Sequence, residues 1–161
     1  MSGERGAGGE FFRAGVGAVI VNEKGQILVL RRAGTSPGAW QLPQGGLQEG
    51  EGPRDALWRE LEEETGISPR QLAILDQYPE WTAYELPGEY RNEKVGRGQV
   101  QKWFLCRLAD EFSRVRPDGA EFDAYEWVEK EELLKRAVAF RLPVYRRVLE
   151  YFSPRLRPGK E

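Results

Sequence analysis

The chain has 161 residues, of which 40% are hydrophobic and 31% charged, and this length and composition predict one folded domain rather than a disordered segment. It contains no histidine, which excludes histidine-based catalytic triads and histidine-ligated zinc, so any hydrolytic chemistry must use carboxylates, Lys, Tyr or a metal ion. The net charge of −2 hides an acidic segment, residues 49–64, in which seven carboxylates accompany only two arginines.

Both ends of the chain are predicted to be tails around a single domain. Residues 1–9 lack the apolar run of a signal peptide, and no stretch approaches the ~18 consecutive apolar residues of a membrane span. We therefore expect a flexible tail at 1–9, one domain at 10–153 and a polar tail at 154–161. The single cysteine, Cys106, cannot form an intramolecular disulfide, which fits a cytoplasmic protein.

The first half of the chain predicts a β-hairpin, a loop and a helix. Residues 15–21 and 26–31 are rich in β-forming side chains and are joined by a short turn. Residues 40–52 contain many glycines and a proline, so we expect a loop there. A helix is predicted over 53–65, because proline favours its first turn and Gly66 follows as a stop.

The second half predicts further strands and two more helices. A long polar connection at 86–98 separates two of the strands, and connections of this length are more often functional or mobile than purely structural. Strands and helices alternate without a regular βαβ period, which favours an α+β sandwich over a doubly wound fold. The elements expected in this half are strands at 72–78, 101–108 and 125–128 and helices at 129–136 and 143–152.

Three glutamates of the helix at 53–65 share one face. Glu60, Glu63 and Glu64 stand at i, i+3 and i+4, whereas Glu62 points elsewhere. Like charges at these spacings repel by about 0.2–0.5 kcal/mol per pair. A hard cation such as Mg²⁺ or Mn²⁺ would offset the repulsion, since it selects oxygen ligands and commonly binds substrate phosphates. The pattern predicts a site for a divalent cation and a polyphosphate; a solvated acidic helix face would carry the same charges.

The spacing around these glutamates resembles the Nudix box. It contains, in order, Gly45, five residues, Glu51, seven residues, and then Arg59-Glu60-Leu61-Glu62-Glu63-Glu64-Thr65-Gly66-Ile67. The resemblance implies the Nudix fold, an α/β/α sandwich with a mixed β-sheet between helices. It also implies hydrolysis of a nucleoside diphosphate linked to another moiety, with the help of divalent cations.

By matching motif positions, the resemblance assigns roles to the residues of the box. Glu60, Glu63 and Glu64 would hold the cations, and Arg59 would brace these carboxylates. Gly45, counted among the metal ligands, would let the backbone approach the helix closely. Glu51 would be a supporting acid, although a carboxylate in the first turn of a helix needs no such role.

The flanking segments resemble one branch of the Nudix family, which contains bacterial RNA pyrophosphohydrolases and plant-type diadenosine tetraphosphate (Ap4A) hydrolases. The segments are WQLPQGG, GQVQKWF, EFDAYEWV and VAFRLPVYRRVL, and the resemblance extends over residues 15–152. It implies that Glu121 is a fourth cation ligand and a candidate base, and that Phe140 stacks on a nucleobase. The other substrate contacts it implies are Arg32, Lys102 and Arg141 on phosphates, and Tyr84, Gln99 and Val138 beside them.

Three functions follow from the resemblance. RNA bearing a 5′-triphosphate would give a 5′-monophosphate end and pyrophosphate, whereas Ap4A would give ATP and AMP. The long loop before Trp40 and the proline at position 143 lean towards the second reaction, while GQVQKWF and VYRRV fit both. A binding module without turnover is the third, and the intact box glutamates oppose it. We expect no binding to duplex DNA, because an enzyme holding only the first nucleotides needs few phosphate contacts. The residues do not determine the oligomeric state, for which we favour a monomer.

Overall fold

The computed structural model describes residues 10–34, 39–109 and 114–156. Short 3₁₀ turns occupy Pro69–Gln71, Gly88–Tyr90 and Ser153–Arg155. No helix in the described ranges is long and apolar enough to span a membrane. The strands and α-helices of these ranges are β1 Phe12–Val21, β2 Ile27–Arg32, β3 Trp40–Gln41, β4 Gln44–Gly46, α1 Pro53–Thr65, β5 Leu72–Gln77, β6 Thr82–Glu85, β7 Gly98–Leu108, β8 Phe122–Val128, α2 Lys130–Arg136 and α3 Leu142–Phe152.

The strands form one mixed sheet whose centre is the parallel pair β1 and β7. The main path runs in the order β3, β2, β1, β7 and β5, while β4 pairs with β1, β6 with β7 and β8 with β2, all antiparallel. The predicted hairpin joins β1 and β2, with Gly25 in the left-handed region at φ 80°. Its turn is fixed by Asn22, whose side-chain oxygen accepts hydrogen bonds from the backbone N–H groups of Lys24 and Gln26.

Helices cover both faces of the sheet, because successive residues of each strand point in opposite directions. On one face, Leu57 and Leu61 of α1 pack with Phe104 of β7. On the other face, Tyr145 of α3 packs with Trp103, also of β7, at a ring distance of 6.0 Å. This α/β/α sandwich around a mixed sheet confirms the predicted α+β architecture.

The structure corrects two of the sequence-based boundaries. The prediction of a loop at 40–52 is wrong in part, because two short strands lie there. The strand β3 pairs with β2, and β4 pairs with β1. The polar tail expected from residue 154 begins later, because Leu156 is buried in the core and Arg155 donates a hydrogen bond to the carbonyl of Leu75 at 3.0 Å. The tail predicted at 1–9 lies outside the described residues.

Candidate active site

The helix α1 lies against β4 closely enough to bring its glutamates to the sheet. Its apolar residues, among them Leu57 and Leu61, are buried, and this fixes its rotation about its own axis. Gly45 allows the close approach, because a Cβ atom added there would overlap the carboxylate of Glu60. The helix ends at Gly66, which adopts φ 73° and donates its N–H to the carbonyl of Glu62.

Arg59 holds the carboxylates of the box in place. Its guanidinium donates two hydrogen bonds to Glu51, one to Glu60 and one to the carbonyl of Gly46, each 2.8 Å long. The Arg59 hydrogen bond is the main reason why the pKa of Glu51 falls to about 2. Glu63 is farther away, with an N–O distance of 3.8 Å to Arg59. Glu51 therefore helps to fix the guanidinium of Arg59, which is a larger role than a charge near the start of α1 would have.

Glu64 is the buried carboxyl of the site. Only 1% of the residue is exposed, and burial, followed by the negative charge of Glu60, raises its pKa to about 10. It accepts a hydrogen bond from the backbone N–H of Gln44, but its Oε1 atom has no partner among the described residues. A bound cation would supply that partner and stabilise the ionised form, so the environment of Glu64 fits a cation ligand.

Glu121 approaches these glutamates from the start of β8. The side chain of Asp118 accepts hydrogen bonds from three consecutive N–H groups, Glu121 among them, and this turn positions the residue. The pKa of Glu121 is raised, first by partial burial and then, against the opposing effect of Arg32, by the charges of Glu60 and other acids. We call Glu60, Glu63, Glu64 and Glu121 the glutamate cluster.

The glutamate cluster offers only hard oxygen ligands, which fit a divalent cation better than a soft metal. Among the described residues, however, no group of three or more acidic or cysteine side chains is already arranged as a complete metal site. Glu60 is directed towards Arg59, and the side chain of Glu63 is 60% exposed. Glu60 already lies beside Glu64, so cation binding by the whole cluster requires Glu63 to turn from solvent towards the other carboxylates.

A cleft of about 440 Å³ runs from Gly45 and Glu121 to Phe140. The structure brings five of the predicted substrate contacts to its walls. They are Arg32, Gln99, Val138, Phe140 and Arg141.

The fold and this combination of site and cleft agree with a family comparison. A model of the NUDIX domain matches residues 11–148. The chain belongs to the Nudix family. Nudix hydrolases generally use divalent cations, in agreement with the oxygen-rich glutamate cluster.

Individual relatives show how far the Nudix likeness extends. An RNA pyrophosphohydrolase of Cereibacter sphaeroides is 41% identical over 150 residues, which cover 90% of this chain and 93% of the relative. A C. elegans Ap4A hydrolase in a binary complex superposes with a TM-score of 0.69 and 24% identity, covering 88% of this chain and 98% of that one. The E. coli dihydroneopterin triphosphate pyrophosphohydrolase has a TM-score of 0.72 and 23% identity, covering 89% and 97%. Because differently named enzymes share this fold, the fold alone does not select the substrate.

The far end of the Nudix cleft is aromatic. The ring of Phe140 lies between Tyr84 and Tyr90, with ring centroids 5.7 and 5.5 Å away, and the guanidinium carbon of Arg141 is 5.0 Å from the Phe140 centroid. Tyr84 is only 8% exposed, so it contacts Phe140 from the protein interior, whereas Tyr90 is 53% exposed. Aromatic surface next to a positive charge is suited to holding a nucleobase.

Tyr90 belongs to the connection 86–98 that the sequence marked as functional or mobile. The connection is tied back by Arg91 and Arg97, which lie 3.2 and 3.3 Å from the carboxylate of Glu85. Asn92 closes its turn by accepting hydrogen bonds from two backbone N–H groups. These contacts give the connection a defined course that presents Tyr90 to the cleft.

The structure does not bring Lys102 to the cleft. Gln99, Gln101 and Trp103 point towards the face covered by α3, so Lys102 points towards the α1 face. Its Nζ atom donates a hydrogen bond to the carbonyl of Pro79 at 3.2 Å and lies 5.9 Å from the ring of Trp81.

Several residues of the cleft were not predicted from the sequence. The glutamines among them are single polar residues without a recurring pattern, so no sequence signal distinguished them. A signal existed for Tyr90, which is an aromatic residue inside the flagged connection 86–98. The unpredicted lining residues include Arg13, Gln41, Gln44, Tyr90 and Lys94.

Proposed function

We propose that the chain hydrolyses the 5′-triphosphate end of RNA to a 5′-monophosphate and releases pyrophosphate, with Mg²⁺ or Mn²⁺ as the cation. The observation that carries the proposal is the continuous cleft, which connects Gly45 and Glu121 at the carboxylate end to Phe140 at the aromatic end. A nucleoside triphosphate would place its phosphates at the carboxylate end and its base at the aromatic end, so it would occupy both ends of the cleft. The 41% identity to a bacterial RNA pyrophosphohydrolase supports RNA as the substrate.

In this proposal the cation is held by the glutamate cluster and the carbonyl of Gly45. When bound, it would neutralise charge on the phosphates and lower the pKa of the attacking water. Arg59 keeps Glu60 oriented, and the loss of Arg59 would free that carboxylate. Glu121 is the candidate base, because its raised pKa makes the carboxylate a better proton acceptor than an ordinary glutamate.

Substrate binding divides between arginines and aromatic rings. Arg32 and Arg141 line the cleft together with Arg13, and their planar guanidinium groups suit phosphate oxygens. Phe140 and the exposed ring of Tyr90, which contact each other, would together offer the aromatic surface on which a nucleobase stacks, a contact worth about 1–3 kcal/mol per base. Val138 lines the same end of the cleft.

Asymmetric hydrolysis of Ap4A to ATP and AMP is the second candidate. Pro143 favours it, since this proline lies in the first turn of α3, two residues after Arg141, as in the plant-type branch that the sequence resembles. Ap4A also offers both a base for Phe140 and a polyphosphate for the glutamate cluster. Residues 35–38 of the long loop, the other sequence argument for Ap4A, lie outside the described residues.

A side-by-side turnover assay tests the proposal. Wild type, Glu64→Gln and Glu62→Gln are assayed on 5′-triphosphorylated RNA and on Ap4A with Mg²⁺ or Mn²⁺. Glu62 is the matched control, because it lies on the same helix but is exposed and outside the glutamate cluster. We expect kcat/KM to favour RNA, to fall at least about 100-fold in Glu64→Gln and to change little in Glu62→Gln.

Two results would change the conclusion. A higher kcat/KM for Ap4A than for RNA would replace the first candidate by the second. Cleavage of neither substrate above the Glu64→Gln level would reject the cation-dependent mechanism for both. The same proposal includes a cytoplasmic location, which the single cysteine fits, and a monomeric state. It also includes a lack of affinity for duplex DNA, which fits the small net charge of −2.

A further inference from the structure

Gln44 connects the carboxylate end of the cleft to its aromatic end. Its backbone N–H donates to Glu64, while its side-chain Nε2 lies 3.4 Å from both the hydroxyl of Tyr84 and the Oε1 atom of Gln99. Tyr84 in turn contacts the ring of Phe140. The position of Gln44 is therefore between the groups that would bind phosphates and the ring that would bind a base.

The side-chain oxygen of Gln44 has no hydrogen-bond partner. The residue is 8% exposed and lines the cleft, and its Oε1 atom is buried without a partner among the described residues. Buried polar atoms are almost always satisfied, so an acceptor left open at a cleft wall is suited to a donor on the ligand.

The neighbouring amides determine which end of Gln44 is available. The Oε1 atom of Gln99 also accepts a hydrogen bond from the Nε2 atom of Gln101 at 3.1 Å, so it presents an oxygen to both neighbours. Turning the Gln44 amide over would place two carbonyl oxygens against each other. With Gln99 in this orientation, the nitrogen of Gln44 faces Gln99 and Tyr84, and its buried oxygen has no partner among the described residues.

The chemistry of the proposed substrate identifies the donor. The phosphates of a nucleoside polyphosphate carry no hydrogen-bond donors when they are ionised. The bases carry N–H donors, but the base would lie at Phe140, whereas Gln44 lies between Phe140 and Glu64, where the ribose joins the base to the phosphates. Within an RNA chain the 3′ oxygen is esterified, so the 2′-hydroxyl is the one ribose hydroxyl that can donate. The 2′-hydroxyl is also the group that distinguishes RNA from DNA.

We propose that Gln44 accepts a hydrogen bond from the ribose 2′-hydroxyl of one of the first two nucleotides and makes the enzyme selective for ribonucleotide ends. This inference rests on the proposed function, which places the phosphates at the glutamate cluster and the base at Phe140. Gln44 is thus a specificity-determining residue, with Tyr84 and Gln99 as the groups that orient it.

Three 5′-triphosphorylated oligonucleotides test the inference: an all-ribose RNA and the same RNA with 2′-deoxyribose at either the first or the second nucleotide. We expect one of the two deoxy substitutions to lower the kcat/KM of wild type about tenfold, because it leaves the buried oxygen of Gln44 without a partner. In Gln44→Met the difference between ribose and deoxyribose should shrink to less than about twofold.

Gln41→Met is the matched control. Gln41 is 2% exposed, lines the same cleft and also has an Oε1 atom without a partner among the described residues, but it makes no hydrogen bond to the groups that orient Gln44. This variant should retain the preference for ribose. Tyr84→Phe, which removes one hydrogen-bond partner of Gln44 with a minimal change of shape, should weaken the preference partly.

The possible outcomes separate this inference from the proposed function. Equal kcat/KM values of wild type for all three oligonucleotides, a preference that survives in Gln44→Met, or an equal loss of preference in Gln41→Met would each overturn the role of Gln44. The wild-type comparison does so even if Gln44→Met does not fold. If no oligonucleotide is cleaved above the Glu64→Gln level, the proposed function fails; dissociation constants of the then intact oligonucleotides still decide the inference, with the same tenfold and twofold expectations.

Discussion

At the scale of single residues, the site combines groups that a sequence pattern reveals with groups that it does not. Glu60, Glu63 and Glu64 were predicted because helical spacing places them on one face, and α1 indeed brings Glu60 and Glu64 together. The environment of Gln44 depends on Tyr84 and Gln99, which are distant in sequence. No local pattern contains that information, so the role of Gln44 could be inferred only from the structure.

The buried carboxyl of Glu64 gives a pH-dependent prediction for the cation-free protein. Its pKa of about 10 in the folded state lies above the ordinary value of 4.5, so the protonated acid is favoured by folding. The stability that this proton provides is complete below about pH 4.5 and is lost as the pH rises towards 10. Glu64→Gln does not titrate and should therefore become more stable than wild type as the pH rises.

Urea unfolding in the presence of EDTA measures this difference. At pH 5 we expect similar free energies of unfolding for wild type and Glu64→Gln, and at pH 8 an advantage of at least about 1 kcal/mol for the variant. Adding Mg²⁺ or Mn²⁺ at pH 8 should raise the Tm of wild type more than that of the variant. A stability difference that is the same at both pH values would contradict the buried, protonated state of Glu64.

At the scale of secondary-structure elements, local signals predicted α1 but not β3, β4 or β6. Pro53 and Gly66 mark the ends of the helix within the sequence itself. In contrast, β4 has the sequence QGG, whose glycines disfavour a strand, and it exists because it pairs with β1. The same pairing places Gly45 beside Glu60, so long-range contacts determine the element on which the site depends.

Alternate residues of β7 point to opposite faces of the sheet, and this leads to different predictions for Lys102 and Arg141. Lys102 points to the α1 face, away from the cleft, whereas Arg141 lines the cleft beside Phe140. Lys102→Ala should therefore change kcat/KM on triphosphorylated RNA by less than about twofold, while Arg141→Ala should lower it about tenfold through the loss of a phosphate contact. Steady-state kinetics of the two variants decide the question. A larger effect of Lys102→Ala than of Arg141→Ala would show that the substrate follows a different path.

At the scale of the whole molecule, the two faces of the sheet have different tasks. The α1 face carries the box glutamates, and the α3 face carries Phe140, Arg141 and their supporting tyrosine Tyr84. The two parts of the cleft meet at β4, because its backbone faces α1 while the side chain of Gln44 reaches Tyr84. The division into layers was predictable from the alternating strands and the Nudix resemblance, but the meeting point was not, since it required the position of β4.

A last prediction concerns the end of the domain, where a substitution should change stability but not activity. Leu156 is 5% exposed and packs into the core covered by α3, although the sequence suggested a polar tail from residue 154. Leu156→Ala should lower the free energy of unfolding by about 2–4 kcal/mol, because it leaves a cavity in that core. The value of kcat/KM should stay unchanged at a temperature where the variant is folded, since Leu156 does not line the cleft.

Urea unfolding and steady-state kinetics on the same preparations test both parts of this prediction. Glu150→Ala is the control, and it should unfold with a free energy close to that of wild type because Glu150 is exposed near the end of α3. An unchanged stability in Leu156→Ala would place the end of the domain at residue 153, where the sequence put it. A loss of kcat/KM in the folded variant would instead mean that packing on the α3 face controls the geometry of the cleft through Tyr145, whose hydroxyl accepts a hydrogen bond from the N–H of Leu42, next to β3.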